Sequence, residues 1–209
     1  MARPGRANRH RRPGAFAVVV SCLVAAVLVT AAVVAWSVWG TEWRSAKETS
    51  QALEDFRVAC AANPADPAGD VIAVLSIPSL DLQTPVLRGV GAGSLARGVG
   101  WYPNTASAGQ SGNFAVAGYR ITNGSPLRHV LELKAGDTIT VRDCTHSYRY
   151  TVQTPASALT VRSDAGWVLD AVPGHPERVP TEAVMTITAN QDLVPSHERA
   201  VLFAQLATS

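Results

Sequence analysis

A thiol beside an imidazole is the most chemically capable pairing in this chain. It occurs in Asp143-Cys144-Thr145-His146, with Arg142 and Arg149 close by. A thiolate is a strong nucleophile, and a neighbouring imidazole can activate it or protonate a leaving group. Residues i and i+2 of a strand share a face, so Cys144 and His146 could approach. The plainer reading of the same residues is a turn cysteine beside a solvated histidine. The chain has 3 cysteines, too few for a disulfide scaffold. Cys22 sits inside a long apolar run. Cys60 and Cys144 could pair, but nothing in the sequence shows that they meet. Asp143, His146, His175 and His197 lack a metal-ligand spacing, so no metal is expected. No glycine-rich stretch has the strand–helix setting of a nucleotide loop, and no cofactor is expected.

Residues Ala15 to Trp39 carry no charge. A bilayer core about 30 Å thick needs roughly 20 apolar residues as a helix, and this run is long enough with some tilt. Arg3, Arg6, Arg9, Arg11 and Arg12 precede it without an acidic neighbour, whereas Glu42, Arg44, Lys47 and Glu48 follow it. The positive-inside bias therefore predicts a cytoplasmic tail over 1–14, a single transmembrane helix over 15–39 and everything later outside the cell. Trp36, Trp39 and Trp43 suit the outer water–lipid interface. A cleaved signal peptide would have an apolar region of about 7–15 residues and a small-residue cleavage site, and this run has neither. The net charge is +2, mostly from the tail. The outer part is nearly neutral and offers no electrostatic footprint for nucleic acid.

Residues 40–70 read as a stalk and linker. Ser45 and Glu48 form a candidate capping box, and Leu53 and Phe56 are one helical turn apart. The stretch from Asn63 to Asp70, with Pro64, Pro67 and Gly69, ends any such helix. From Val71 the pattern changes to strands: 71–77, then Leu80 to Val86 interrupted by Pro85, 113–117, the hairpin 137–142 and 148–153, 184–189 and 200–206. Short runs between Gly- and Pro-rich turns predict a mainly β domain over 71–209, closed or nearly closed into a barrel. One short helix is expected within 126–133.

Several blocks occur in a distinctive order: Ile77-Pro78, Gly98-Val-Gly-Trp-Tyr102-Pro103, Gly112-Asn113-Phe-Ala-Val-Ala117-Gly118-Tyr119-Arg120, Leu131-Glu-Leu-Lys-Ala-Gly136-Asp137, Met185-Thr-Ile-Thr-Ala-Asn190 and Ser196-His-Glu-Arg199. This pattern resembles the sortases, most closely the class E type of actinobacteria, across Val71 to Ser209. The resemblance implies a closed β-barrel of about eight strands with short helices. It also implies a cysteine transpeptidase, which cuts a sorting motif after its threonine and passes the acyl group to a cell-wall amine. In the family a histidine belongs in an A-G-H-R block, a cysteine ends a T-L-T-T-C strand, and an arginine follows on the next strand. The cysteine attacks the carbonyl, the imidazole protonates the leaving amine, and the guanidinium steadies the reacting centre.

This chain departs from that pattern at two of the three positions. Tyr119 stands where the histidine belongs and Asn190 where the cysteine belongs, while Arg199 is retained. A carboxamide is not a useful nucleophile, and a phenol with a pKa of about 10 is a poor proton shuttle near neutrality. Losing the nucleophile of such a site costs several orders of magnitude in rate. Tyr119, Asn190 and Arg199 are therefore candidate peptide contacts and not a catalytic triad. Arg199 could equally pair with Asp192, and Tyr119 could equally be an aromatic filling the vacated site. Two functions follow: an inactive sortase-fold protein that binds a peptide, a sorting-signal protein or an active sortase, and an active transpeptidase or hydrolase with an unrecognised nucleophile.

Overall fold

The structure is a computed structural model that describes residues 15–65, 67–121, 124–190 and 197–207, except the side chains of 15–22, 31–45 and 190. It divides into two units, Met1–Thr41 and Glu42–Ser209. In the first, helix α1 (Ala15–Ala62) begins. The described side chains Leu23, Val24, Val27, Leu28 and Val29 are all more than half exposed, between 53% and 68%. Among the described residues no helix is long and apolar enough to cross a membrane. The expected tail over 1–14, and much of the expected anchor at side-chain level, lie outside the described residues.

The second unit is built on a barrel. Its strands are β1 (Val71–Ile77), β2 (Leu82–Arg88), β3 (Val99–Trp101), β4 (Gly112–Gly118), β5 (Thr138–Arg142), β6 (Ser147–Thr154), β7 (Thr160–Arg162), β8 (Ala183–Asn190) and β9 (Glu198–Leu206). They run in the order β6-β5-β1-β2-β3-β4-β8-β9, and β9 pairs back onto β6 to close eight strands. The short β7 lies outside the closure along the first part of β9. Closure removes every long free edge. Strand alternation sends Phe114, Val116, Met185, Ile187, Leu202 and Tyr150 inward, each at most 1% exposed.

Most expected strands are present within a residue or two of their expected limits. The helix expected within 126–133 is a single 3-10 turn, Val130–Glu132. Strand β2 passes through Pro85 without a break, because β3 joins it only from Val86 onward and asks nothing of the missing N–H. Strand β3 itself escapes sequence patterning, since it is only three residues long and has glycine before it and at its centre. A Cβ at Gly98 would lie 2.4 Å from the Pro85 carbonyl oxygen, and one at Gly100 would lie 2.3 Å from that of Gly89. These two positions are bare so that β3 can approach β2.

The segment expected as a stalk belongs to the barrel unit. No helix starts at Ser45, because α1 runs unbroken to Ala62. Within the second unit, Ala52 and Phe56, four residues apart, pack on Val71, Val74 and Leu87. Burying one such phenylalanine contributes about 1.5–3 kcal/mol before ordering costs. Cys60, a further turn along, is disulfide-bonded to Cys144 with the Cα atoms 5.1 Å apart, across 84 residues of sequence. In the chain-entropy account a loop of that length adds about 4–5 kcal/mol by restricting the unfolded chain.

The β5–β6 turn is organised by Asp143, whose Oδ1 accepts from the N–H groups of Thr145 at 2.7 Å and His146 at 2.6 Å. Burial pushes the Asp143 carboxyl up, but these bonds and those from the Thr145 and Tyr148 hydroxyls outweigh it and hold it below its ordinary value. A lowered folded pKa means stability present above the unfolded carboxylate value of about 3.9 and lost as pH falls through the folded one. Asp143→Asn should therefore lower the melting temperature at pH 7, and the gap from wild type should shrink on acidification below pH of about 4. Thr84 supplies a second test. It is 1% exposed and its hydroxyl has no partner among the described residues. Thr84→Val should raise stability by about 0.5–1.5 kcal/mol in denaturant titrations, because an unpaired buried hydroxyl is replaced by a methyl of similar volume.

Candidate functional site

The register of three neighbouring strands gathers the candidate residues at one end of the barrel. Strands β4 and β8 are parallel, with Gly118 opposite Ala189, so Tyr119 and Asn190 are the next residues outward on each. Strand β9 is antiparallel to β8 and places Arg199 opposite Asn190. Three positions far apart in sequence thus share one edge. The side chain of Asn190 lies outside the described residues. Tyr119 is half-buried, and its carbonyl accepts from the Leu127 N–H at 3.0 Å. Leu127 lies tightly over Gly118, where a Cβ would come within 2.7 Å of its Cδ1. The loop after β4 is therefore held down onto the strand beside Tyr119.

Arg199 is half-buried and donates from Nη1 to the Tyr102 hydroxyl at 3.2 Å. That hydroxyl lies 3.3 Å from the Thr188 Oγ1, which in turn donates to the Val116 carbonyl at 3.4 Å. The guanidinium is held at the outer face of the sheet by a chain of hydroxyl groups. Of the alternatives for Arg199, Asp192 lies outside the described residues, and the partner that the structure supplies is Tyr102. Tyr102 and Thr188 appeared in the sequence only inside motif blocks, with no role attached to either. Tyr102 simply follows β3, and no spacing links it to a residue 97 positions later.

Outer-face positions of β4, β8 and β9 are buried too: Asn113, Ala115, Thr186, Thr188 and Val201 are at most 3% exposed. The chain between β7 and β8 covers part of them. Its 3-10 turn Gly166–Leu169 is tied down by Asn113, whose Nδ2 donates to the Val168 carbonyl at 2.9 Å and the Asp170 carbonyl at 3.1 Å. The Thr186 hydroxyl donates to the Asn113 Oδ1 at 2.7 Å, completing the amide's partners on both sides. Trp167 meets Phe203 with ring centroids 6.1 Å apart beside this anchor. Asn113 was legible only as part of a motif; its role as a clamp needs the fold.

Cys144 and His146 are not part of this edge. The β5–β6 turn that carries them follows the C-terminal end of β5, beside the start of β1, where Arg142 pairs with Val74. Strand β1 runs antiparallel to β2, β2 parallel to β3 and β3 antiparallel to β4, which puts that turn at the opposite end from Tyr119. Cys144 is bonded to Cys60, and His146 stacks on Tyr148 with centroids 5.9 Å apart. The thiol–imidazole pairing suggested by their spacing does not form. Among the described residues no group of three potential ligands could hold a metal ion.

The eight-stranded closed barrel gathers this edge from the ends of β4 and β8 and the start of β9. The sortase-domain profile matches residues 75–207, and the chain belongs to the sortase family. Within it the likeness is to sortase E. The chain is 35% identical over 185 residues to sortase SrtE1 of Streptomyces coelicolor, covering 80% of this chain and 51% of that protein. It therefore spans about half the length of that relative. The structure of sortase E from Streptomyces avermitilis superposes with a TM-score of 0.59 at 33% identity, over 66% of this chain and 89% of that one. Sortase E1 from Streptomyces coelicolor, solved with a tripeptide in its active site, gives a TM-score of 0.59 at 26% identity over the same shares, 66% and 89%.

The Asn113 clamp is open to direct measurement. Asn113→Ala would strip the part-buried Asp170 carbonyl of its Asn113 donor, and would leave the Val168 carbonyl and the Thr186 hydroxyl only their bond to each other at 3.2 Å. It should cost about 1–3 kcal/mol in a denaturant titration and quicken tryptic cleavage at Arg162 and Arg178 before the barrel itself is cut.

Proposed function

We propose that this chain is a membrane-anchored, extracytoplasmic sortase-fold protein that binds a peptide or a cell-wall sorting partner without performing transpeptidation. The observation that carries the reading is the chemistry of the shared edge. Tyr119 and Asn190 occupy the positions where the family resemblance expects the imidazole and the thiol, and only Arg199 retains its type. The two cysteines of the barrel unit are joined to each other at the far end, so neither offers a thiolate there. The edge keeps what binding needs. Arg199 is a fixed cation that can donate to a peptide carbonyl or carboxylate, and Tyr119 is a half-buried aromatic on the same edge, with β8 between them. The tripeptide in the active site of the Streptomyces coelicolor relative supports a short peptide as the ligand class. Membrane anchoring is supported by the uncharged run from Ala15 to Trp39, the arginines before it, and the exposed apolar side chains Leu23 to Val29.

The competing reading, an active sortase-type transpeptidase or hydrolase, draws on the 35% identity to a protein named as a sortase. The two separate in one experiment. Full-length protein in detergent micelles is offered a panel of sorting-motif peptides, with binding and cleavage followed together, beside a Tyr119→His, Asn190→Cys double variant. The wild type should bind and not cleave, and the variant should exceed it in cleavage by roughly three orders of magnitude or more. Cleavage by the wild type at a rate comparable to the variant would sink the non-catalytic reading.

A further inference from the structure

The segment Glu42–Ala62 of α1 forms an arm along the barrel, and the contact between them is small. Among the described residues its fully buried apolar side chains are Ala52 and Phe56, and Thr49 adds one hydrogen bond to the Arg97 carbonyl at 3.0 Å. The opposite side of the arm is open: Val58 is 61% exposed. The arm ends at Ala62, and the chain then crosses a short linker that contains Pro64, Pro67 and Gly69, the last with φ at 114°. From Asp70 the backbone is held again, because the Arg88 N–H donates to the Asp70 carbonyl at 2.8 Å and the Arg97 guanidinium pairs with the Asp70 carboxylate. Residues 63–69 therefore have the makings of a hinge. A second covalent attachment, Cys60–Cys144, lies three residues before it.

That attachment can be reached. Both cysteines are half-buried, not enclosed. A cavity of about 290 Å³ lined by Leu53, Phe56 and Arg142 meets both sulfur-bearing residues. A second, of about 400 Å³ and lined by Pro64, Pro67 and Tyr148, also reaches Cys144. Exchange requires an attacking thiolate to approach one sulfur, and these openings provide the approach.

We propose that Cys60–Cys144 is a site of reversible reduction by a dithiol, and that opening it releases the arm from the barrel. The thiolate of the reductant attacks one sulfur and forms a mixed disulfide. The other cysteine leaves as a thiolate and takes a proton. The second thiol of the reductant then displaces the remaining cysteine, so the reductant ends as a disulfide and the protein gains two electrons and two protons as two thiols. With the bond open, the linker is the sole covalent connection between arm and barrel, and the small contact of Ala52, Phe56 and Thr49 is all that opposes release. The connection changes from fixed to swivelling, and Val71, Val74 and Leu87 lose their cover. The proposal concerns the end of the barrel away from Tyr119 and does not depend on peptide binding there.

Hydroxyl-radical footprinting of the full chain in detergent micelles, with and without dithiothreitol, tests it. Phe56 is 6% exposed while the bond is closed, so release should raise its labelling several-fold, together with that of Val74 and Leu87. Leu75 and Ile187, both inside the barrel, should stay protected. A Cys60→Ser, Cys144→Ser double variant without reductant should reproduce the reduced pattern. Unchanged protection of Phe56 in both the reduced protein and the variant would overturn the proposal, because the apolar contact alone would then hold the arm. Labelling of Leu75 and Ile187 alongside Phe56 would overturn it as well, since the bond would then hold the whole barrel together and not a hinge.

Discussion

Strand β8 is buried on both of its faces, and this double burial is the constraint on which the rest of the structure depends. Met185, Ile187 and Ala189 point into the barrel core, while on the outside Thr186 lies under the covering chain and Thr188 beside Tyr102. A shift of one residue would exchange the two sets, driving hydroxyls into the core and apolar chains into a polar clamp. The register with β4 on one side and β9 on the other is therefore fixed by packing, independently of any chemistry at the strand ends. Because the strand ends are set this way, Tyr119, the backbone of Asn190 and Arg199 meet at one edge whatever side chains stand there.

The polar residues on the outer face of β8 do the complementary work. A threonine on a buried face is unfavourable unless its hydroxyl is paired. Thr186 finds Asn113, and Thr188 finds Tyr102 and the Val116 carbonyl. Each pairing reaches further: Asn113 ties down the turn containing Trp167, and Tyr102 fixes the Arg199 guanidinium. The site is thus preorganised by hydrogen bonds internal to the fold, none of which needs a thiol or an imidazole. The scaffold at this edge therefore does not depend on which side chains stand at positions 119 and 190.

The same division explains what could be read from the sequence. Strands with strong apolar patterning, such as Val71–Ile77 and the hairpin 138–154, declared themselves, and so did the order of motif blocks that carries the family resemblance. β3 did not, because the glycines that admit it beside β2 are also what weaken its strand signal. Tyr102, Thr188 and the clamping role of Asn113 were hidden because their partners are distant in sequence and become neighbours only through the parallel β4–β8 pairing. The Cys144–His146 spacing allowed two readings, a reactive pair or a turn cysteine beside a solvated histidine, and left a Cys60–Cys144 pairing open. It is a local signal, and the tertiary fold gave Cys144 a partner 84 residues away instead.

That distant partner also changes what the segment before the barrel is. A stalk inferred from Pro and Gly at 64–69 would be a passive spacer, free to adopt many orientations. A helix bearing Ala52 and Phe56 four residues apart, with Cys60 at the next turn, presents one face continuously to β1 and β2. The apolar contact alone sets the direction of the arm, since two buried side chains are enough to choose a face. The disulfide adds to it by restricting the freedom of the unfolded chain across 84 residues. Direction and permanence thus come from different sources: packing supplies the first, and a bond that chemistry can open supplies the second.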